Sequence, residues 1–343
     1  ILHLLAGTKN ILTLPEINLK LIKACNSGQE NISEIAEIIK MDPSLTLKVM
    51  DMYYSCFHKG PKKLSGLQNA LEIIGLETIN TLVSCSSAGS VFDGVISARR
   101  FDLAGFWRHS LKCAFLSELI SREIPAQSSE EAFLTGILHD IGRLVLFTSF
   151  PNIYGKLPEK INHQSIISKE QKILGIDHCY IGNKLIEGWH YYPFMADALL
   201  YHHHPIDKVA VSLPSVKVLY LANLMAQEDM PDKEDLYGSA KILFGFTRDK
   251  VDEYLLYAEA RLDAAIAEIG IEENVSGQAQ PMTGAKGDAR FNLANEVRDR
   301  SLIAYALQNI PGAKEKGDVL HIIRQGFQTL FEKSMVFFFL YNK

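Results

Sequence analysis

The sequence predicts an all-α fold, a multi-helix bundle of roughly a dozen helices in two lobes followed by a short α+β fragment. Three observations predict it. Apolar residues recur at helical spacing from Ile11 to about Gly270. Capping residues and prolines punctuate that stretch where helices should start and stop. No βαβ alternation and no repeat of fixed period is present.

The first signals are local. Asn31 followed by Glu34 can form a capping box, and Ile35, Ile38 and Ile39 then supply a buried stripe. Asp42-Pro43 opens the next helix, with Asp as N-cap and Pro at the first helical position, and Leu45, Leu47, Val49 and Met50 follow. Two helices joined this tightly could form a helix-turn-helix. Only Lys48 supplies a cation near the start of the second, so the pair is read as part of a bundle and no DNA binding is expected. Gly60-Pro61 marks a loop, and Leu67, Ala70, Leu71 and Ile74 form a further helical face ended by Gly75. Ser87 to Arg100 reads as a surface connection dividing a first lobe, 10–100, from a second, 101–270. Within the second lobe, helices follow one another with breaks near Pro125, Pro151, Pro193, Pro205 and Pro214.

Composition changes at Glu272 to Arg290, where the run from Gly277 to Gly287 lacks large apolar residues apart from Met282, so 271–290 is expected to be a linker. In 291–343 a helical stretch through Leu293, Val297, Leu302 and Leu307 is followed by Leu320 to Leu330. The β-like run Met335 to Tyr341 ends it, as the start of a domain would.

The formal net charge of −5 and pI near 6.1 argue against a nucleic-acid footprint. No window reaches the ~18 consecutive apolar residues of a membrane span. Ile1 to Gly7 lacks a basic n-region and a cleavage site, so no signal peptide is read and a cytoplasmic location is expected. The chain opens on Ile1, consistent with a fragment. The cysteines, Cys25, Cys56, Cys85, Cys113 and Cys179, form no C-x-x-C pair and read as reduced, mostly buried thiols.

Six histidines between residues 109 and 204 stand out: His109, His139, His178, His202, His203 and His204. His139 is followed directly by Asp140. Each lies in an apolar helical context, where an imidazole needs a partner. Shared metal ligation satisfies several at once, whereas a lone histidine there is more often a hydrogen-bonded core residue. A mixed imidazole and carboxylate set favours a divalent transition metal.

Ile137-Leu138-His139-Asp140-Ile141-Gly142 resembles the signature of the HD superfamily of metal-dependent phosphohydrolases. The wider order of motifs is similar to its HDOD branch, the HD-related output domain. Leu14-Pro15, Asp42 to Met50, Ala70 to Gly75, Phe106-Trp107-Arg108-His109-Ser110, Leu174 to Gly182 and His202-His203-His204-Pro205 all fit. Trp189 to Pro193 fits with one extra residue. The likeness covers about 10–270, so 101–270 would be the HD-like lobe. The tail from Asp318 to Tyr341 resembles the entry helix and strand of a GAF domain.

The resemblance implies a ligand set and a role. The ligand positions would be His109, His139, Asp140, His178, His202 and His203, with His204 and Asn223 as additional candidates. The ion would be Fe, Mn, Ni or Zn, if one is bound. In active relatives an aspartate closes the site where Asn223 stands, and a GYP segment lies where Pro205-Ile206-Asp207 stands. Some relatives carry an acidic residue where Gly105 is. By the same resemblance the site reads as half kept, able to hold one ion at Asp140, His178, His202 and His203, and another weakly through His139 and His109. The implied role is a bacterial signal-transduction output module, acting on signalling proteins or through a nucleotide ligand, with a homodimer through the C-terminal region as a candidate assembly. The alternative is a metal-dependent phosphohydrolase acting on a nucleotide or phosphate ester. Asp140 would then be catalytic, and Arg108, Arg143 and Lys184 would be candidate phosphate contacts.

Overall fold

The computed structural model describes residues 13–26, 31–54, 66–75, 78–79, 101–125, 127–154, 163–187, 193–227 and 233–269. The Gly60-Pro61 loop, the Ser87 to Arg100 connection, Trp189 to Tyr192, the 271–290 linker and the GAF-like tail lie outside them. So do Cys56, Cys85 and the side chain of Cys25. Among the described residues every regular element is helical.

The first lobe holds α1 (Pro15–Asn26), α2 (Ile32–Lys40), α3 (Pro43–Met52) and α4 (Leu67–Ile74). Asn31 caps α2 by accepting from the Glu34 amide at 3.2 Å. The return contact of the box runs side chain to side chain, from Asn31 Nδ2 to Glu34 Oε2. Asp42 caps α3 by accepting from the Leu45 amide at 2.8 Å, with Pro43 in the first turn. Such a cap stabilises a helix by about 1 kcal/mol. Pro43, Ser44, Leu45, Thr46, Leu47, Val49 and Met50 are all buried, so α3 is a core helix.

The second lobe begins with α5 (Leu103–Ser121), packed along α6 (Ser129–Leu138). Next come α7 (Ile141–Ser149), α8 (Pro151–Tyr154), α9 (His163–Leu174), α10 (His178–Glu187) and α11 (Pro193–Tyr201). The chain closes with α12 (Ile206–Val209), α13 (Pro214–Ala226), α14 (Glu234–Phe244) and α15 (Arg248–Ile269). The prolines act as expected, since Pro151, Pro193 and Pro214 each open a helix, where a missing N–H costs nothing. Ser129–Ser149 is long and apolar enough for a membrane span, yet 83% of its most apolar window is buried against other helices. It is the centre of the bundle, and α6 and α7 are separated within it by His139 and Asp140.

The two lobes share one apolar core running from Leu14 to Ile266. Polar ties cross between them. Trp107, 1% exposed, donates its indole N–H to the Met41 carbonyl at 2.6 Å. Glu130 accepts from the Leu67 amide at 3.2 Å, and Lys40 lies over the Phe133 ring. The long α15 packs on both α5 and α1, with Lys20 paired to Glu268 at 2.5 Å.

Candidate metal centre

Five helical segments each deliver part of one cluster. His109 comes from the middle of α5. His139 caps the end of α6 and Asp140 precedes α7. His178 opens α10, His202 and His203 follow α11, and Asn223 lies on α13. His139, Asp140, His178 and His202 are each at most 1% exposed.

Two glycines make the convergence possible. A Cβ on Gly136 would lie 2.6 Å from the Ala114 backbone, so only glycine lets α6 close on α5 and bring His139 Nε2 to 3.2 Å from His109 Nε2. A Cβ on Gly142 would lie 2.1 Å from the His178 carbonyl oxygen. The glycine after the His-Asp pair therefore seats the first turn of α10 against α7, and His178 Nε2 against Asp140 Oδ1 at 3.3 Å.

The turn before α10 is equally local in origin. Gly175 adopts φ 71°, the left-handed conformation that ends α9, and its amide returns to the Gln171 carbonyl. Asp177 then accepts from the Tyr180 amide and starts α10. The reversal lays Glu170 over His178. Fully buried, Glu170 accepts from the His178 ring Nδ1 at 2.7 Å, the His178 amide at 2.9 Å and the Tyr154 hydroxyl at 2.5 Å. Burial alone would raise this carboxyl, but the His178 ring and these hydrogen bonds outweigh it and hold Glu170 below the usual carboxylate range.

The ring tautomers follow from their outer partners. A carboxylate can only accept, so His178 donates Nδ1–H to Glu170. His139 donates Nδ1–H to the Gly136 carbonyl and His202 to that of Leu199, both at 2.8 Å. Each therefore turns Nε2 inward. Asp140 Oδ1 is the hub, 3.6 Å from His139 Nε2, 3.3 Å from His178 Nε2 and 3.6 Å from His202 Nε2. Two ligands on one first-row ion stand roughly 3.0–3.5 Å apart, given bonds of about 2.1 Å. Asp140 Oδ1, His178 Nε2 and His202 Nε2 are buried with no hydrogen-bond partner. Buried polar atoms left so are rare, and three of them converging fit a cation.

The electrostatics agree. Burial pushes His139 down to about 3 and lowers His109, leaving both neutral, as ligation requires. Burial would raise Asp140, but the surrounding imidazoles and Arg143 outweigh it and keep Asp140 a carboxylate. Burial also opposes charge on His178, yet Cys179 and Glu170 raise it well above its ordinary value. Flanked by the buried carboxylates of Asp140 and Glu170, this spot favours a cation, whether a proton or a metal ion.

The remaining sequence candidates distribute unevenly. Asn223 Oδ1 lies 3.0 Å from His109 Nε2, so the residue in the closing aspartate's place is bonded to a histidine. His203 is in the cluster, its ring centroid 4.0 Å from that of His202. His204 instead sets its ring edge-on against Tyr201. Arg143 donates to Asp140 Oδ2 at 3.0 Å, and Lys184 pairs with Glu187, so each cation has a carboxylate partner. Arg108 is partly exposed beside His109 on α5. Sequence reasoning missed Glu170 and Tyr154, which lie on helices with no motif. It also did not assign Cys179, whose thiol shares the site of His178, His202 and His203.

The fold has known counterparts. The chain is 19% identical over 214 residues to an uncharacterized protein of Treponema pallidum (strain Nichols), a match covering 62% of this chain and 41% of that protein. The chain thus spans less than half the length of that curated relative. In fold it is similar to the MmoQ response regulator from Methylococcus capsulatus, with TM-score 0.61 and 21% identity over 72% of this chain and 98% of that one. It is likewise similar to a virulence factor from Campylobacter jejuni, with TM-score 0.54 and 15% identity over 76% and 98%. The HDOD domain model matches residues 11–205, from the start of the first lobe through the paired histidines. That stretch is more than half of the sequence and holds His109, His139, Asp140, His178, His202 and His203, and the chain belongs to the HDOD domain family.

Proposed function

We propose that this chain is a signal-transduction output module whose degenerate HD-type site holds one divalent transition ion as a structural or sensing element. The signal would pass through contacts with a partner protein or a nucleotide ligand. The observation that carries this reading is the division of Asp140. Its Oδ2 is taken by Arg143 at 3.0 Å, while its Oδ1 has no hydrogen-bond partner and faces the histidines. A carboxylate that bridges two ions with one oxygen on each has none left for another partner. Here a guanidinium occupies one side, and Asn223 offers an uncharged amide where a second ion would need a carboxylate.

Asp140, His178 and His202 would hold the ion, with His139 and His203 beside them. When bound, the ion supplies Lewis acidity. Glu170, Gly136 and Leu199 do the orienting, each by accepting the outer N–H of one imidazole. Arg143 neutralises the rest of the Asp140 charge and aligns its plane. The same unpartnered Oδ1 favours the second reading, a metal-dependent phosphohydrolase, because it leaves one open carboxylate position in a buried cationic setting.

Elemental analysis and a phosphoester assay on the same samples test both readings. The wild type should hold about one ion per chain and show no turnover of p-nitrophenyl phosphate or a cyclic dinucleotide above metal alone. Asp140→Ala should lose the ion and leave the half-buried Arg143 without its carboxylate, costing about 2–3 kcal/mol in urea unfolding. Turnover in the wild type that is abolished by Asp140→Ala, with the variant still folded, would establish the phosphohydrolase reading instead.

A further inference from the structure

The histidines on the α10 and α11 side of the cluster have a companion of different chemistry. The thiol of Cys179 and ring nitrogens of His178, His202 and His203 all lie within 4.8 Å of one another. Cys179 is a free thiol and 4% exposed. A buried cysteine alone is ordinary core material. This one sits among two imidazole nitrogens, His178 Nε2 and His202 Nε2, that are buried and have no hydrogen-bond partner. Their outer nitrogens are committed to Glu170 and the Leu199 carbonyl, so both Nε2 atoms turn inward toward Asp140 Oδ1, at 3.3 and 3.6 Å, beside the thiol.

We infer that Cys179 is a sulfur ligand, and that the open half of the site is a nitrogen and sulfur site for a borderline-soft ion such as zinc rather than a harder one such as manganese or magnesium. This rests on the reading above that the cluster holds an ion. Imidazole suits several transition ions, but thiolate narrows the set toward zinc and away from ions that prefer oxygen. On binding, the S–H bond breaks, a metal–sulfur bond forms, and the thiol proton leaves to solvent. No oxidant or reductant is involved.

The position of Cys179 follows from the start of α10. Asp177 caps the helix, so His178 and Cys179 are its first two residues, both buried against neighbouring helices. Gly142 provides the close approach on one side. Gly182, whose added Cβ would meet Leu199 at 3.2 Å, provides it on the other, so α11 and its trailing histidines come near.

Cobalt(II) loading of the metal-stripped full chain tests the assignment, because cobalt–thiolate bonds give a near-ultraviolet charge-transfer band that imidazole ligation does not. The wild type should show that band together with visible d–d bands. Cys179→Ser, and Cys179→Ala as a second variant, should lose the charge-transfer band while cobalt stays bound, and Cys113→Ser should keep it. Zinc affinity should fall at least ~10-fold in the Cys179 variants, with manganese affinity unchanged. Cobalt bound to the wild type with d–d bands but no charge-transfer band would overturn the sulfur assignment and leave the metal reading standing, and this readout needs no variant to fold. A charge-transfer band that survives in both Cys179 variants would also overturn it. Failure of the wild type to bind cobalt or zinc at all would sink the metal reading and this inference with it.

Discussion

The two halves of the histidine cluster use the same residue type in opposite ways. On the α5 and α13 side, His109 lies against both His139 and Asn223, so its inward nitrogen already has neighbours to bond. On the α10 and α11 side, the inward nitrogens of His178 and His202 face Asp140 Oδ1 and Cys179 without a hydrogen bond. The first half is satisfied by hydrogen bonds within the protein, and the inward atoms of the second are not. What separates them is one amide and one guanidinium. Asn223 supplies an acceptor without charge, and Arg143 supplies a positive charge that cannot dissociate.

Restoring the closing carboxylate would break that contrast most strongly. In Asn223→Asp the satisfied half gains an anionic ligand beside His109 and His139, and ions bound per chain should rise from about one toward two at saturating zinc, read by elemental analysis. A ratio that stays at one would mean that Arg143, not Asn223, sets the limit.

A smaller effect is expected from Glu170→Gln. The amide cannot accept from the Tyr154 hydroxyl, the His178 amide and the His178 ring as the carboxylate does, so the orientation of His178 loosens. Ion affinity should fall by about 10–100-fold with unfolding in urea shifted far less. An unchanged affinity, measured by competition with a chelating dye, would place His178 outside the ligand set.

The smallest effect belongs to a carboxylate remote from the cluster. Burial pushes Asp42 up to about 6, against the Leu45 amide and Lys48 that favour its charge. A folded value above the unfolded one of 3.8 means that the penalty is full above pH 6 and disappears below pH 4. Asp42→Asn keeps the cap and removes the charge. It should gain about 1 kcal/mol over wild type at pH 7.5, after allowing for the lost partner of Lys48. The gain should vanish as pH falls through 6 toward 4, in paired urea titrations of metal-stripped protein. A gain constant with pH would show that folding does not raise Asp42 at all.

Much of the molecule is legible in its sequence, and the reason differs by element. The starts of α2 and α3 are legible because a cap is a contact between residues three apart. The histidine set is legible through the order of motifs, not through spacing, since His109 and His202 are brought together by helix packing alone. Arg143 lies within reach of reasoning, as it stands three residues after Asp140 at a helix start and pairs back to it. Glu170 does not. It precedes His178 by eight residues across a reversal set by Gly175, and nothing in the pattern of α9 marks one glutamate as the buried one. Cys179 reads as core because a thiol's neighbours are a tertiary fact.

Trp107 gives the molecule a built-in gauge. Its indole is anchored to the Met41 carbonyl of the first lobe, two residues from His109 on the same helix. Any slide of one lobe over the other must stretch that bond before it reaches the cluster. Of the chain's two tryptophans, it reports from the junction itself. With Trp189→Phe leaving it as sole emitter, a change in its emission wavelength would read out strain between the lobes in real time.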